Sequence, residues 1–387
     1  MKTAGIICEY NPFHLGHQAQ FRRIRETLGE DTALVCLMSG NYVQRGEPAL
    51  YEKSVRAEAA LRGGADLVLE LPVTCALRSA EGFADGGVAI LDGLSVVDTL
   101  SFGCESSEGL WETARLLRSE AFPPLLRREL ETGSSFAAAR QRALEALGGD
   151  GRTVASPNNI LGVEYCKSLQ RRGSGLEILP ILRRGGYHEL EPDAASPSAT
   201  SLRRTEDFSA YVPAETRRCY EGRPQYRREY GERAMLARLR MLGEAEFAAV
   251  PYGGEGLWRK VMRACQSGGS VEEILRSAKS KRYAYTRLSR LLLCACLGIS
   301  QARLDEAPPY VRVLGFRETG RALLRRARDA GSVPLCSAGA RCGGEFAALE
   351  RRCDLLYDLF CEKLPGESEP RRERVCYLKN TEKGLAK

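Results

Sequence analysis

Two histidines, His14 and His17, lie three positions apart, where an apolar segment gives way to a helical pattern. The apolar segment begins at Thr3 and predicts a strand, and the pattern over 18–28 predicts a helix. Between the histidines, Gly16 would let a phosphate approach the main chain at the start of that helix. Imidazole N–H groups placed there can stabilise the oxygens that gain charge when an α-phosphate is attacked. The spacing therefore predicts nucleotide chemistry; the alternative is that the two histidines are a helix cap and a surface residue.

A second segment suited to phosphate runs from Ser198 to Arg203 and opens another predicted helix. The hydroxyls of Ser198 and Thr200 can cap that helix, and with its N–H groups and Arg203 they can hold a triphosphate tail. A helix cap alone would be ordinary. Because both segments belong to one predicted α/β unit, we expect 198–203 to be the second phosphate contact of the same site. The third histidine of the chain, His188, lies in another Gly-containing loop.

Two further segments carry polar residues that connecting loops do not need. The segment 38–48 predicts a long loop that holds Gln44, Arg45 and Glu47. A loop of this length at the end of a strand more often covers a site than merely connects two elements. The alternative is a surface loop with an internal Arg45–Glu47 pair. The segment 156–159 contains two asparagines, of which one is expected to cap the next helix and the other to hydrogen-bond a ribose or base.

The elements that must position these residues alternate between apolar runs and helical patterns. Such runs favour a parallel sheet whose strands are buried on both faces and joined by right-handed crossovers. Ligands bind these sheets at the carboxyl ends of the strands, where 11–17, Ser39-Gly40, Pro72 and Gly103 are expected. The predicted fold class is α/β, a Rossmann-like parallel-sheet unit with a helical insertion at about 108–150. After the first helix, the predicted elements are 32–38, 53–62, 65–71, 80–91, 96–102, 158–170 and 176–182.

The second half of the chain is helical in pattern and basic in charge. Residues 201–387 contain 36 Lys+Arg and 24 Asp+Glu, a net charge of +12, against −5 for residues 1–200. This asymmetry favours a polyanion partner for the second half, with the alternative that it reflects genome composition and solvated helix faces. We therefore predict a nucleotide-binding catalytic domain at 1–225 and an all-helical, basic domain at 226–387 that is expected to bind RNA.

The segment 279–290 interleaves basic residues with tyrosines. Arginine and aromatic side chains together suit RNA, because phosphates need cations and splayed bases can stack. Part of the segment is expected to be core packing, through Leu288, Leu291 and Leu292. The residues predicted to bind RNA are Lys281, Arg282, Tyr283 and Arg287.

Composition excludes several classes of protein. The chain is 43% hydrophobic and 28% charged, as ordinary globular proteins are. It starts directly in a predicted strand, and no run approaches the roughly 18 apolar residues of a membrane span, so we expect a cytoplasmic protein with no membrane partner. Its 14 cysteines form no Cys-x-x-Cys pair, and the closest two, Cys294 and Cys296, lie in an apolar helix. No metal site is therefore predicted.

The segment 5–17 resembles the His-x-Gly-His signature of the nucleotidylyltransferase superfamily, and 198–203 resembles that superfamily's second, Ser/Thr-rich signature ending in Arg. From residue 4 to about 300, an ordered set of motifs is similar to the bacterial tRNA(Met) cytidine acetate ligase family. These motifs are Glu9-Tyr-Asn-Pro-Phe-His14, 38–48, 64–72, Phe102-Gly-Cys-Glu105, 157–162, Tyr187-His188 and Lys281-Arg-Tyr283.

The resemblance implies an enzyme that uses ATP and acetate to form acetyl-adenylate. It would then acetylate the exocyclic amine of the wobble cytidine of elongator tRNA(Met), giving N4-acetylcytidine. His14, His17 and Arg203 are expected to be catalytic. His14 and His17 would stabilise the attacked α-phosphate while acetate displaces pyrophosphate, with Mg²⁺ on the phosphates. The residues expected to contact ATP are Ile7, Cys8, Glu9, Tyr10, Asn11, Pro12, Phe13, His14, Leu15, Gly16, His17, Gly103, Asn158, Arg183, Ser198 and Thr200.

The sequence departs from the family pattern at a few positions. Leu15 stands where the family usually has Asn, the 183–187 loop is one residue shorter than is typical, and Glu189 replaces an expected Asp. The choice between Arg183 and Arg184 as the nucleotide contact therefore stays open. Two other functions remain: a small-molecule adenylyltransferase of the same superfamily, which leaves the basic half without a role, and an RNA-binding protein without catalysis, against which the intact histidine pair argues.

Overall fold

The computed structural model describes residues 1–183, 199–205, 207–337, 340, 342–364 and 375–379. Within them, eight strands form one mostly parallel sheet, and a two-stranded hairpin lies apart from it. The sheet strands are β1 (Thr3–Cys8), β2 (Ala33–Ser39), β5 (Leu67–Leu71), β6 (Thr99–Cys104), β7 (Glu177–Leu182), β8 (Val311–Phe316), β9 (Leu335–Ser337) and β10 (Cys376–Tyr377), and the hairpin is β3 (Tyr42–Val43) with β4 (Glu47–Pro48). The strand order is β10-β8-β5-β2-β1-β6-β7, with β9 beside β8.

The central strands are buried on both faces, as their apolar runs predict. β1 and β2 pair in parallel from Thr3 opposite Ala33 to Cys8 opposite Met38. Alternate residues of β2 enter different cores, because successive side chains of a strand point to opposite faces. All five strands predicted in the first half are present, and the predicted α/β class is confirmed.

Helices cover both faces of the sheet and build the second half. In the described residues they are α1 (Leu15–Leu28), α2 (Lys53–Arg62), α3 (Val73–Ala76), α4 (Ala80–Gly93), α5 (Leu110–Leu117), α6 (Phe122–Glu131), α7 (Phe136–Ala146), α8 (Pro157–Arg172), α9 (Ala199–Leu202), α10 (Ala214–Tyr220), α11 (Arg228–Met241), α12 (Glu244–Ala249), α13 (Leu257–Ser267), α14 (Val271–Ala278), α15 (Tyr285–Leu297), α16 (Gln301–Asp305), α17 (Glu318–Ala330) and α18 (Gly344–Asp358). Short 3₁₀ turns lie at Gly151–Val154 and Ser209–Tyr211. Nowhere in the described ranges is a helix long and apolar enough to cross a membrane.

Helices α5 to α7 form the insertion predicted at about 108–150, between β6 and α8. Helices α11 to α15 surround a separate apolar core that includes Phe247, Val261, Ile274 and Leu292. This is the helical region that the pattern of the second half predicts.

The chain after residue 310 differs from the all-helical expectation, because it returns to the sheet. β8 pairs antiparallel with β5, and Val311 and Val313 enter the core on one face of the sheet. β9 and β10 then pair with β8 in parallel. The added strands cover the edge that β5 would otherwise expose, and an uncovered strand edge is a template for unwanted pairing.

Candidate functional site

Two histidine rings cap the start of α1. The backbone N–H of Gly16 donates to Nδ1 of His14 (3.1 Å), and the backbone N–H of His14 donates to Nδ1 of His17 (3.2 Å). The two rings are stacked, with centroids 3.7 Å apart. The cap alternative is therefore confirmed for His14, and α1 begins at Leu15 rather than at the predicted residue 18. The cap places both rings at the start of α1, where a phosphate is expected.

Both rings are neutral and adopt one tautomer. Burial lowers the pKa of His14 to about 3, with further lowering by the charges of Arg183 and Arg203. Burial likewise lowers the pKa of His17 well below its ordinary value, assisted by His14 and Arg183. A neutral imidazole carries one N–H, and since each Nδ1 accepts a hydrogen bond, the proton lies on Nε2. The pair thus presents two Nε2–H donors side by side, an arrangement suited to an oxyanion.

Arg203 reaches the histidine loop from the segment around α9. Its Nη1 donates to the backbone carbonyl of Asn11 (3.1 Å), and its Nη2 donates to Oγ1 of Thr200 (3.3 Å). The guanidinium of Arg227 in turn holds the backbone carbonyl of Arg203 (3.1 Å). The structure therefore brings Thr200 and Arg203 to the histidines, as the two phosphate-binding segments predict.

Arg183 contributes to the same histidine site from the end of β7. Its backbone N–H donates to the carbonyl of Cys104 (2.9 Å). Its aliphatic stem lies over Gly103, where an added Cβ would stand 3.2 Å from Cδ of Arg183. The Arg183 charge lowers the pKa of both histidines, so it acts on the same space. Of the other predicted residues of this region, Arg184, His188 and Ser198 lie outside the described residues.

The loop that follows β6 joins the start of α8 through a carboxylate. The Oε atoms of Glu105 accept from the Ser156 hydroxyl (2.6 Å), the Asn158 side-chain amide (2.6 Å) and the Asn159 backbone N–H (3.1 Å). Asn159 also accepts a hydrogen bond from Glu105: its Oδ1 accepts from the Glu105 backbone N–H (2.9 Å). The expectation that an asparagine caps α8 was wrong: the Glu105 carboxylate does so, since a negative charge complements a helix start.

Most of the segment predicted to contact ATP has its side chains in the core. Ile7, Cys8, Tyr10 and Phe13 are buried, and the phenol of Tyr10 contacts Sγ of Cys36 (3.3 Å). Contacts from these positions to a nucleotide would therefore be made by the main chain.

The loop itself is held in place from outside. The Oδ1 of Asn11 accepts from the Leu50 backbone N–H (2.7 Å), and the Phe13 backbone N–H donates to the hydroxyl of Tyr220 (3.0 Å). The bond between Asn11 and Pro12 is cis. These contacts fix the loop that carries His14 and His17.

A fully buried arginine organises the carboxyl ends of β1 and β2. The guanidinium of Arg56 donates to the backbone carbonyls of Glu9 (2.6 Å), Ser39 (3.1 Å), Gly40 and Tyr51 (2.8 Å). Sequence analysis missed this residue. The available signal was its position on the apolar face of α2, one turn before two buried alanines.

The loop around the β3–β4 hairpin joins the histidine loop to the helical half. On one side, the Gln44 backbone N–H donates to Oε1 of Glu9 (2.8 Å). On the other, Ser289 and Arg290 of α15 donate to the carbonyls of Gly46 (2.9 Å) and Gln44 (3.2 Å). The predicted long loop is therefore an ordered bridge between two parts of the molecule.

The closest approach in this bridge is at Gly46, whose φ is +79°. A Cβ on Gly46 would stand 2.5 Å from the backbone nitrogen of Arg290. Nearby, Glu47 pairs with Arg228 of α11 (3.5 Å), so Glu47 bonds to the helical half rather than only within its own loop.

Buried charges tie the end of β5 to α18. The ammonium of Lys53 contacts both Glu70 and Asp354, at 3.0 Å each, and the Asn41 amide donates to Asp354 (2.9 Å). Burial raises the pKa of Glu70 to about 7, although Lys53 opposes this shift. Within the described part of the chain, Oε2 of Glu70 is buried with no hydrogen-bond partner.

Of the four residues predicted to bind RNA, Lys281, Arg282 and Tyr283 lie between α14 and α15, and Arg287 lies in the first turn of α15. Arg287 donates to the Tyr252 carbonyl (3.0 Å and 3.2 Å) and stacks on Tyr283, while Arg282 pairs with Glu255 (2.6 Å). Lys281 is exposed. As expected, Leu288, Leu291 and Leu292 are core residues.

Comparison with known proteins is consistent across sequence and structure. The family model described as HIGH Nucleotidyl Transferase matches residues 1–369. A protein of Acetivibrio thermocellus named tRNA(Met) cytidine acetate ligase is 35% identical over 364 residues, which cover 87% of this chain and 88% of that protein. A protein of the same name from Clostridium novyi is 34% identical over 402 residues and covers 98% of this chain and 100% of its own length.

Solved structures of Thermotoga maritima TmcAL have the same architecture. The form bound with alpha-thio ATP superposes with a TM-score of 0.85 at 30% sequence identity, covering 98% of this chain and 100% of that one. The apo form gives a TM-score of 0.86 with the same identity and coverage.

Proposed function

The chain belongs to the HIGH nucleotidyl transferase family, and from that membership we propose that it is an ATP-dependent ligase that acetylates tRNA. Acetate attacks the α-phosphorus of ATP to form acetyl-adenylate and release pyrophosphate. The exocyclic amine of the wobble cytidine of elongator tRNA(Met) then attacks the acetyl carbonyl, which gives N4-acetylcytidine and AMP. The relatives named tRNA(Met) cytidine acetate ligase and the neighbour that binds an ATP analogue support this proposal.

The observation that carries the proposal is the convergence of two neutral histidines and two arginines at the carboxyl edge of the sheet. His14 and His17 present Nε2–H donors, and the charges of Arg183 and Arg203 act on His14. The site is built on rigid elements, the ends of β1 and β7 and the start of α1. Donors aimed at a phosphate before the reaction are most effective as negative charge grows on the oxygens.

In the first step, we assign the Nε2–H groups of His14 and His17 to the non-bridging oxygens of the α-phosphate. Arg203, with Thr200, holds the outer phosphates. Arg183, at the end of β7, adds a second positive charge. Ser198 and Asn158 keep their predicted roles as nucleotide contacts. Since both histidines are neutral, they act as hydrogen-bond donors and need not release a proton.

Mg²⁺ is proposed as part of the ATP substrate. Among the described residues, no group of three or more His, Cys, Asp or Glu side chains is arranged to hold a metal ion. The described residues therefore fit an Mg²⁺ ion that is bound by the phosphate oxygens of ATP. There the ion would neutralise the charge of the pyrophosphate leaving group.

We assign tRNA binding to the helical, basic part of the chain and keep the proposed division at residue 225. Lys281, Arg282, Tyr283 and Arg287 retain their proposed role as part of the RNA-facing region. A tRNA substrate also places the protein in the cytoplasm. The hydrogen bonds from Arg287 to the Tyr252 carbonyl favour a supporting role for it within this group.

The test is to incubate the purified protein with ATP, acetate and a transcript of elongator tRNA(Met), and to analyse the digested nucleosides by mass. Acetylcytidine is expected only when all three substrates are present. Each two-substrate mixture serves as a control. If the tRNA from the complete mixture contained no acetylcytidine, the proposed activity would be refuted.

The alternative function is a small-molecule adenylyltransferase, which the same nucleotide site would support. It predicts transfer of AMP from ATP to a phosphorylated acceptor without any tRNA. The helices α11 to α18, and the basic charge of this half of the chain, favour the ligase.

A further inference from the structure

Helix α13 has one apolar face and one strongly basic face. Leu257, Val261, Ala264 and Cys265 are buried in the helical core. The opposite side carries Arg259, Lys260 and Arg263, all exposed. This separation of apolar and basic residues follows the helical period, so the three cations lie on one side of the helix within about one turn.

A basic turn adjoins this helix. The turn spans 279–283, between α14 and α15, and carries Lys279, Lys281 and Arg282. It packs at the start of α13, because Glu255 just before that helix accepts from Arg282 (2.6 Å) and Tyr283 (3.4 Å).

The second link between the turn and α13 lies further along the helix. The ammonium of Lys260 donates to the backbone carbonyl of Ala278 (3.2 Å), at the end of α14. The helix face and the turn therefore form one surface, which we call the α13 surface: Arg259, Lys260, Arg263, Lys279, Lys281 and Arg282.

Most cations of the α13 surface lack a carboxylate partner. Within 207–337, the ion pairs of this region involve Arg282 with Glu255 and Arg276 with Glu272. No described carboxylate lies within ion-pair distance of Arg259, Arg263 or Lys281. Elsewhere on the protein many exposed arginines are paired, as Arg115 is with Glu112. Uncompensated like charges side by side are unfavourable unless an anion neutralises them.

We propose that the α13 surface is where the protein contacts the phosphate backbone of its tRNA, an inference that rests on the tRNA part of the proposed function. A run of unpaired arginines and lysines complements a polyanion, and release of counterions from neutralised phosphates drives such binding. The guanidinium of Arg259 also lies over the Trp258 ring (4.5 Å), which fixes its direction at the surface.

This assignment retains Lys281 and Arg282 from the sequence-predicted group and makes the cations of α13 the main RNA contacts. Arg287 and Arg282, predicted from sequence, already bond to Tyr252 and Glu255. Arg259 and Arg263 were not singled out by sequence, because α13 has no aromatic–basic alternation like that of 279–290. Contacts to phosphate carry no sequence information, so this surface positions the tRNA and leaves recognition of the anticodon to other groups.

The test uses the double variant Arg259→Gln/Arg263→Gln in the full-length protein. Binding of an elongator tRNA(Met) transcript and of one unrelated tRNA transcript is measured over a series of salt concentrations. We expect Kd for both RNAs to rise by the same factor, roughly tenfold at moderate salt, and the slope of log Kd against log salt to fall by about 2, one for each phosphate contact.

The matched control is Arg326→Gln/Arg328→Gln on α17. These arginines are also exposed, and the change in net charge is identical. Helix α17 starts where the Arg317 backbone N–H bonds the carbonyl of Asp66, before β5, so it begins at the amino edge of the sheet. Its variant should bind tRNA within about twofold of the wild type, since only screened long-range charge is lost. Unchanged ATP affinity and melting temperature check that each variant is folded.

Three results would overturn the proposal: wild-type affinity for tRNA in the α13 variant, an equal loss in the α17 control, or no tRNA binding by the wild type. The first result would indicate that the α13 surface binds an acidic protein rather than tRNA. Failure of the proposed reaction is distinguishable, because a wild type that binds tRNA through α13 without forming acetylcytidine refutes the ligase and not the surface.

Discussion

At the scale of single residues, the chemistry depends on how each histidine uses its two nitrogens. In both His14 and His17, Nδ1 accepts a backbone N–H, which places the proton of the neutral ring on Nε2. Because burial lowers both pKa values, protonation of either ring opposes folding. The stability they contribute is present above pH about 6.5 and is lost as pH falls through the lowered pKa of each ring, which is about 3 for His14. The same groups therefore act as structural caps and as proposed catalytic donors.

Replacing His17 by Ala should separate these two roles. We expect the rate of pyrophosphate release from ATP and acetate to fall by about 10²-fold or more, because a donor to the α-phosphate is lost. Loss of a helix cap alone costs only about 1 kcal/mol of stability. The control is Ser135→Ala, which removes the side-chain cap of α7 (3.3 Å) and should leave the rate unchanged. A His17→Ala enzyme as fast as the wild type would refute the catalytic assignment.

A second prediction at this scale concerns Glu70. Burial raises its pKa from 4.5 to about 7, against Lys53 and with the help of Glu350 and Asp354. The folded state holds this proton more tightly than the unfolded state, so the corresponding stability is present at low pH and is lost as pH rises through about 7.

The comparison is with Glu70→Gln, which cannot titrate. Relative to that variant, the wild type should lose free energy of unfolding between pH 5 and pH 8, as measured by urea denaturation. A stability difference that stays constant, or that grows with pH in favour of the wild type, would contradict the assigned pKa direction.

Whether the sequence could identify a residue of the site depends on how far along the chain its bonding partners lie. His14, His17 and Arg203 stand in local patterns that predict phosphate chemistry, and the structure brings them together. Arg56, in contrast, bonds three carbonyls that lie 16 to 47 positions away, besides that of Tyr51, and Lys53 contacts Asp354 across 301 positions. Such contacts exist only after the sheet has formed, so no local pattern contains them.

At the scale of elements, apolar runs predicted the central strands well, because strands buried on both faces are continuously apolar. The strand at 311–316 was missed, since its apolar alternation stands between helical segments and carries Arg312. Its pairing with β5, more than 240 positions earlier in the chain, is again a tertiary property. The start of α1 was misplaced by three residues because a histidine cap is uncommon.

The bridge formed by the β3–β4 loop gives a prediction for Gly46. Gly46→Ala should be strongly destabilising, because φ is +79° and the new methyl would stand 2.5 Å from a backbone nitrogen of α15. The control is Gly109→Ala, with φ +70° but a nearest atom at 3.7 Å, for which only the backbone cost of about 1 kcal/mol applies.

Urea midpoints of the two variants provide the measurement. We expect the Gly46→Ala midpoint to fall clearly below that of Gly109→Ala. Equal midpoints would show that the loop moves to accommodate the methyl group without a loss of stability. The loop would then not be a rigid link between the histidine loop and the helical half.

At the scale of the whole molecule, the charge asymmetry of the sequence has a structural counterpart. The nucleotide site lies on the sheet, and the basic α13 surface lies on the helical half. The two parts are joined by the β3–β4 loop and by α18, through Lys53 and Asp354. In the proposed reaction both parts therefore act together: the adenylate made at the histidines is consumed by an RNA that the helices hold.

The most direct measurement is the fate of acetate oxygen. With acetate labelled in both oxygens by ¹⁸O, the account predicts one label in AMP and one in the acetyl group for every acetylcytidine formed, because the attacking oxygen stays on phosphorus when the amine displaces AMP. Mass analysis of AMP and of the tRNA nucleosides from one reaction gives both values. Acetylcytidine accompanied by unlabelled AMP would contradict an acetyl-adenylate, and with it the central role assigned to the histidine site.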